Sequence, residues 1–292
     1  MIIVIIGPTG VGKTKVSVAL AKKINAEIIS GDSVQVYKHL NIGSAKVTSK
    51  EMQGIKHHLI DVIELEEEYS SSVFQTMVRQ KITEITNKNK NVIICGGTGY
   101  YIKACLYDYR FSKKRDNHKF ATFSDEELYN KLLELDYNQA KLLHKNNRRR
   151  VERALEVAMQ GNKISENQKG NKRLYDFTLI GLTMDREKIY QRIDKRVNIM
   201  LENGLLDEVK ALYPKKAYIH AIGYNELFDY LDNKLSYDEA VEKIKRNSRR
   251  YAKKQFTWFN NKMATNWIDV EDKELEVICD EILQKVKKNT SF

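Results

Sequence analysis

Eight residues near the start, Gly7-Pro8-Thr9-Gly10-Val11-Gly12-Lys13-Thr14, restrict this chain more than any other stretch: they match the pattern G-x-x-x-x-G-K-[ST] at every fixed position. The apolar run Ile2 to Ile6 before them reads as a buried strand. Val16, Ala19, Leu20 and Ile24 after them recur at helical spacing. A strand, a glycine-rich turn and a helix in that order direct backbone N–H groups and the positive helix end at one anion. Lys13 adds a point charge and Thr14 a hydroxyl able to bind magnesium. A diphosphate or triphosphate group is therefore expected at this loop. A merely glycine-rich turn would not require all the fixed positions and both flanks. The loop leaves open which phosphate compound it holds.

A second strand, Ala26 to Ser30, runs into Gly31-Asp32-Ser33-Val34-Gln35-Val36-Tyr37. In an open parallel sheet ligands sit beyond the carboxyl ends of the strands, which places Asp32 beside the phosphate loop. A catalytic carboxylate, a turn cap and a water-mediated magnesium contact are all open to it. Asn91 to Cys95 forms another buried strand, ending in Gly96-Gly97-Thr98-Gly99-Tyr100-Tyr101. Nucleotide hydrolases carry a magnesium-binding Asp at such a strand end, and this chain has Cys95-Gly96-Gly97 there. It also has no Asn-Lys-x-Asp run to read guanine. The loop thus reads as a phosphate holder without hydrolysis equipment, with glycines allowing close ligand approach and the Thr98 hydroxyl at the pocket edge. His57 and His58, adjacent on an extended segment, point to opposite faces and read as structural.

Character changes from Phe111 to about Arg173. A basic opening (Lys113, Lys114, Arg115, Lys119) leads into short helices. Ser124 and Glu127 form a capping box, and a further helix, capped by Asn146 or Asn147, carries Arg148, Arg149, Arg150 and Arg153 near its start. Cations there oppose the helix dipole, so either an outside anion such as a nucleic-acid phosphate or a nearby acid must compensate. This gives a domain division of 1–110 with 174–292 as the core and 111–173 as a helical insertion.

Tyr175 to Thr183 reads as a strand returning to the sheet, followed by a helix capped by Asp185. On that helix Arg192 and Arg196 share one side and suit clamping phosphate oxygens, unless Asp194 or Glu187 pairs with them. A long helix opened by the Ser236/Glu239 capping box bears Lys243, Lys245, Arg246, Arg249, Arg250, Lys253 and Lys254, with no acid between Glu242 and Asp269. Its aromatics, Tyr251, Phe256, Trp258 and Phe259, read mostly as core. These two clusters give the net charge of +11 a location, which favours a polyanionic partner over a scattered excess of surface lysine.

No apolar stretch approaches the roughly 20 residues that span a bilayer, and Ile2 to Ile6 is too short for a leader, so a cytoplasmic location and no membrane partner are expected. Cys95, Cys105 and Cys279 form no C-x-x-C pair and read as reduced thiols, Cys95 in the core.

Taken in order, these pieces resemble the tRNA dimethylallyltransferases, from residue 1 to about Trp267. The resemblance rests on the phosphate loop and Asp32 to Tyr37, on Asn41-Ile42-Gly43-Ser44-Ala45-Lys46, His57 to Asp61 and Gly96 to Tyr101. It continues through Arg153-Ala154-Leu155-Glu156-Val157, Ala221-Ile222-Gly223-Tyr224 and Lys254-Gln255-Phe256-Thr257-Trp258-Phe259. It implies an α/β fold, a parallel sheet like that of P-loop NTPases flanked by helices, with the small helical insertion. The implied reaction moves a dimethylallyl group from dimethylallyl diphosphate to the exocyclic amine of the adenosine beside the anticodon of tRNA. Carried over by position, Gly7, Pro8, Thr9, Gly10, Val11, Gly12, Lys13 and Thr14 would hold the diphosphate, and Asp32 would be the general base. Lys13, Arg196 and Thr14 with Mg2+ would stabilise the leaving group. Asp32, Ser33, Val34, Gln35 and Thr98 would meet the target nucleotide once it leaves the anticodon-loop stack. Arg149, Arg150 and Arg153 would grip the anticodon stem-loop. The absence of a zinc-finger segment after the long helix matches bacterial members, and a monomer is expected.

Three other readings compete. An adenylate isopentenyltransferase would use free AMP, ADP or ATP as acceptor, which leaves the insertion and the basic helix without a purpose. A small-molecule kinase would make a phosphorylated product, and a binding-only RNA protein would be indifferent to loss of Asp32.

Overall fold

The structure, a computed structural model, describes residues 1–111, 120–161, 164 and 172–289. The basic opening at Lys113, Lys114, Arg115 and Lys119 lies outside them. The elements run β1 (Ile2–Ile6), α1 (Lys13–Lys23), β2 (Ala26–Ser30), α2 (Ser49–Met52), β3 (His57–His58), α3 (Ser71–Thr86), β4 (Asn91–Gly96) and α4 (Gly99–Leu106). Three helices follow, α5 (Asp125–Leu135), α6 (Tyr137–Lys141) and α7 (Arg148–Met159). The chain then forms β5 (Thr178–Thr183), α8 (Arg186–Glu202), α9 (Leu205–Leu212), a 3-10 turn (Tyr213–Tyr218), α10 (Tyr224–Leu231), α11 (Tyr237–Lys262), β6 (Asn266–Asp269) and α12 (Leu275–Asn289). Two compact units result, Met1–Leu106 with Tyr175–Phe292, and Tyr107–Leu174.

The larger unit is built on one six-stranded sheet in the order β3-β2-β4-β1-β5-β6, every pair parallel. Parallel sheets covered on both faces need apolar residues at successive positions, and β1 supplies them: Ile2 to Ile6 are all buried. Register brings the strand ends level, with Ile6 opposite Gly96 on one side and Gly181 on the other, and Ser30 opposite Cys95. The loops after β1, β2 and β4 therefore open at the same edge, where an open parallel sheet keeps its ligands. Beneath them, α1 and α12 pack on the sheet through Val16, Leu20, Ile278, Ile282 and Val286. A second cluster joins α9, α10 and α11 through Leu205, Val209, Tyr224, Leu227, Ala240 and Ile244.

The return strand starts at Thr178, three residues later than the apolar pattern implies. His57 and His58 form only a two-residue edge strand, cut short by positive φ values at Leu59 (61°) and Asp61 (54°). The histidines do separate. His58 Nε2 lies 2.6 Å from the buried Glu27 carboxylate, which also takes Lys90 at 2.8 Å. Burial opposes that carboxylate's charge, yet Lys90 and His58 hold it down to about 2. The smaller unit has its own core, Phe120, Leu128, Leu132, Ala140, Val151 and Leu155. Among the described residues no helix is long and apolar enough to cross a membrane.

Candidate active site

The phosphate loop turns as its glycines require. Gly10 and Gly12 take φ values of 85° and 102°, and a Cβ at Gly7 would lie 2.6 Å from the Leu182 carbonyl oxygen of β5. Helix α1 starts at Gly12 with no side-chain cap, so its first N–H groups are left for a ligand. Lys13 folds over the loop, donating to the carbonyl oxygens of Gly7 (3.0 Å) and Pro8 (2.9 Å). Burial and the Arg196 charge push its ammonium down to about 8, against the opposing pull of Cys95 and Asp32. Cys95, half-buried, packs against the main core as read and sits by this lysine, and desolvation of its thiol pushes it up. The Thr14 hydroxyl makes no hydrogen bond among the described residues; only its carbonyl is engaged, by the Ser17 hydroxyl at 3.0 Å.

Asp32 divides its two oxygens. Oδ1 accepts the N–H groups of Val34 (2.8 Å) and Gln35 (3.2 Å), the turn-capping role. Oδ2 takes no hydrogen bond among the described residues, and the same carboxylate acts electrostatically on both Lys13 and Arg196. The cap thus fixes the group without using it up. Ser33 and Thr98 come together, hydroxyl to hydroxyl at 3.4 Å. Their two neighbours have scaffold duties. Val34 packs against the α9–α11 cluster, and the Gln35 amide donates to the carbonyls of Ala45 (3.0 Å) and Ser44 (3.4 Å).

That 41–46 loop is held by a residue with no signal in the sequence. Glu208 on α9 accepts the N–H groups of Asn41, Ile42 and Gly43, at 3.1, 2.9 and 3.1 Å, and the Tyr224 hydroxyl at 2.7 Å. Gly43 is required because a Cβ there would meet the Tyr224 ring at 2.5 Å. Lys46 closes the loop through the Tyr37 carbonyl (2.8 Å), Asn41 (3.0 Å) and Asp61.

Of Arg192 and Arg196 on α8, Arg196 donates to the Thr9 hydroxyl of the loop at 3.4 Å; Arg192, one turn earlier, is exposed. Burial pushes the Arg196 guanidinium down, and the charges of Glu51 and Asp32 partly offset this. The two acids that could have paired with these arginines turn elsewhere: Asp194 binds Arg249 of α11 at 2.6 Å, and Glu187 lies 3.9 Å from Arg186. A half-buried arginine with no salt-bridged carboxylate among the described residues is suited to an incoming anion.

Helix α11 supplies the rest, and it is where sequence reasoning saw least. Gln255 Oε1 accepts the Thr9 N–H at 2.8 Å while its Nε2 donates to the Gly97 carbonyl at 3.1 Å. Tyr251, one turn earlier, brings its phenol to Thr98 and Gln255, and burial pushes it up. The Trp258 ring fills the space a Cβ on Gly99 would need, 2.1 Å away. The spacing 251, 255, 258 marks one helical face, a signal obscured because these residues read as core or as links in a basic run. Beside that face Arg250, Lys253, Lys254, Thr257, Trp258, Asn261 and Lys262 line an open cavity of about 720 Å³.

In the smaller unit, α7 begins at Asn147 without the side-chain cap the sequence implied. Compensation by nearby acids occurs there. Arg148 takes Asp125 (2.7 Å) and Glu152 (2.8 Å), and Arg153 takes Glu156 (3.2 Å), while Arg149 and Arg150 project outward. The Ser124/Glu127 box at α5 and the Ser236/Glu239 box at α11 both form.

Comparison with known proteins bears on this arrangement. Residues 35–262 match the family model described as IPP transferase. A tRNA dimethylallyltransferase of Bacillus velezensis is 50% identical, over 94% of this chain and 95% of that protein. The crystal structure of a Staphylococcus epidermidis tRNA delta(2)-isopentenylpyrophosphate transferase is similar with a TM-score of 0.74 at 42% identity, covering 98% of each chain. A eukaryotic dimethylallyltransferase acting on tRNA superposes with a TM-score of 0.84 at 33% identity, over 93% of this chain and 74% of that one.

Proposed function

The chain belongs to the IPP transferase family of tRNA dimethylallyltransferases, and on that premise we propose how its residues divide the work of the reaction. The enzyme transfers a dimethylallyl group from dimethylallyl diphosphate to the N6 amine of the adenosine on the 3′ side of the anticodon in tRNA. The amine nitrogen forms a bond to C1 of the allyl group, the C1–oxygen bond breaks, diphosphate leaves with the electron pair, and one proton leaves the nitrogen.

The observation that carries this division is the opposition of an uncommitted Asp32 oxygen to a cationic loop. Oδ1 is pinned by two backbone N–H groups, which leaves Oδ2 as the acceptor for the amine proton. Gly7, Pro8, Thr9, Gly10, Val11 and Gly12 cradle the diphosphate with backbone groups. Lys13 and Arg196, both partly withheld from water, meet the negative charge that gathers on it as the C–O bond breaks. Thr14 suits a magnesium ion shared with the diphosphate, because its hydroxyl is uncommitted among the described residues and Mg2+ uses few protein ligands beside phosphate oxygens and water. Bound there, Mg2+ would neutralise part of the leaving group's charge. Ser33 and Thr98 face the adenosine, with the backbone of Val34 and the Gln35 side chain shaping the same wall. Arg149, Arg150 and Arg153 of the 107–174 unit serve the anticodon stem-loop, in keeping with two of them projecting outward. We further propose that the protein acts as a cytoplasmic monomer, which sedimentation equilibrium with and without tRNA will check.

The deciding experiment incubates the protein with labelled dimethylallyl diphosphate, Mg2+ and unmodified tRNA, then digests the tRNA to nucleosides. Label is expected on the adenosine 3′ to the anticodon. Label on free AMP with none on tRNA would overturn the acceptor.

A further inference from the structure

Gln255 is 7% exposed, and both ends of its amide are hydrogen-bonded, at two places that lie far apart in sequence. The Thr9 N–H donates to Oε1 at 2.8 Å, 246 residues away, and Nε2 donates to the Gly97 carbonyl at 3.1 Å, 158 residues away. The two loops so joined serve opposite halves of the reaction. Thr9 belongs to the loop assigned to the diphosphate, whereas Gly97 precedes Thr98, whose hydroxyl meets Ser33 on the acceptor side at 3.4 Å.

The first contact also orients a peptide plane. A trans peptide points its carbonyl and its N–H in opposite directions. The Pro8 carbonyl faces inward and accepts from Lys13 Nζ at 2.9 Å, so the N–H of the same peptide, on Thr9, faces outward to Gln255. Without an acceptor outside, that N–H would be left unpaired or the peptide would turn over and take the carbonyl away from Lys13. Neighbouring contacts brace the arrangement. Arg196 donates to the Thr9 hydroxyl at 3.4 Å, and Arg249 ties α11 to Asp194 of α8 at 2.6 Å. Gly97 matches the side chain, since a Cβ there would fall 2.0 Å from Nε2.

We propose that Gln255 is a positioning residue for the transfer: it sets the Pro8–Thr9 peptide that faces Lys13 and holds the donor loop in register with the Gly97–Thr98 edge of the acceptor site. It touches neither reacting atom. The inference rests on the reading that the loop holds diphosphate.

The test uses the full chain with Gln255→Leu and Gln255→Glu, inorganic diphosphate as binding probe, and single-turnover transfer to tRNA. Leucine removes both hydrogen bonds. It should weaken diphosphate binding about tenfold, equivalent to ~1.4 kcal/mol, and slow transfer at least tenfold, while tRNA affinity stays within twofold. Glutamate gives a sharper readout. As a neutral acid it reproduces the amide, its carbonyl accepting from Thr9 and its O–H donating to Gly97; as a carboxylate it repels the Gly97 carbonyl. A buried carboxyl titrates high, so the variant-to-parent rate ratio should climb towards one as pH falls from about 8 to about 5.5. A ratio independent of pH, or a leucine variant within twofold of the parent in diphosphate affinity and rate, overturns the proposal. If leucine prevents folding, the glutamate profile decides alone. A parent chain that does not bind diphosphate overturns the donor-loop reading and this inference together.

Discussion

Two helices without a side-chain cap begin with cations where the helix dipole disfavours them, α1 with Lys13 and α7 with Arg148, Arg149 and Arg150. They resolve the conflict in opposite ways. Lys13 is drawn inward onto two carbonyls of its own loop and pushed down to about 8 by burial. On α7 Arg148 pairs with Asp125 and Glu152, while Arg149 and Arg150 lie at the exposed surface. The difference separates a charge held ready for chemistry from charges held ready for contact. A desolvated cation interacts strongly and costs stability, whereas exposed ones interact more weakly, are screened by salt and cost little.

Breaking the first side should have the largest effect. Lys13→Ala removes the charge that meets the leaving diphosphate, and single-turnover transfer should fall about a thousandfold. A rate within tenfold of the parent would sink the assignment of the loop to the leaving group. Asp32→Asn keeps the cap acceptor at Oδ1 and removes the proton acceptor, so transfer should slow about a hundredfold with tRNA affinity retained. If tRNA binding falls in step with rate, Asp32 is part of the recognition surface and not the base.

The other side should respond in binding. Charge reversal of Arg149 and Arg150 together is expected to weaken tRNA binding about tenfold and to flatten its dependence on salt, with diphosphate affinity unchanged. An unaltered salt slope would show that the exposed arginines of α7 do not meet phosphates.

How much of this the sequence discloses follows the same division between near and far. The phosphate loop, strands β1 and β2, the capping boxes at Ser124 and Ser236 and the cap at Asp185 depend on residues within a few positions of each other, and all of them form as read. Asp32 also behaves locally, because its cap reaches only to Val34 and Gln35. What stayed hidden are the long-range partners. Glu208 holds a loop 166 residues away at Ile42, and Gln255 holds one 246 residues away at Thr9. A lone glutamate on an amphipathic helix, or a glutamine inside a basic run, has no periodicity to betray it. Asp194 shows the same effect in reverse: proximity in sequence suggested Arg192 or Arg196, and tertiary packing delivered Arg249.

The smallest effect tests the energetic half of the comparison. A lysine whose folded pKa of about 8 lies below its ordinary value of 10.5 binds its proton less tightly in the folded chain than in the unfolded one. Its burial therefore destabilises the protein below pH 8, and the penalty fades as pH rises from 8 to 10.5, because the folded form then sheds the proton that the unfolded form keeps. Lys13→Met should accordingly raise the unfolding free energy of the ligand-free protein by ~1 kcal/mol at neutral pH, with the two lost hydrogen bonds offsetting part of the relief. That advantage should shrink towards pH 10.5. Arg150→Met, on an exposed cation, should stay within about 0.5 kcal/mol of the parent at every pH. Denaturant unfolding of the three proteins across pH measures both. If Lys13→Met is less stable than the parent at neutral pH, its contacts with Gly7 and Pro8 outweigh its desolvation, and the lysine is a brace of the loop as much as a charge waiting for a ligand.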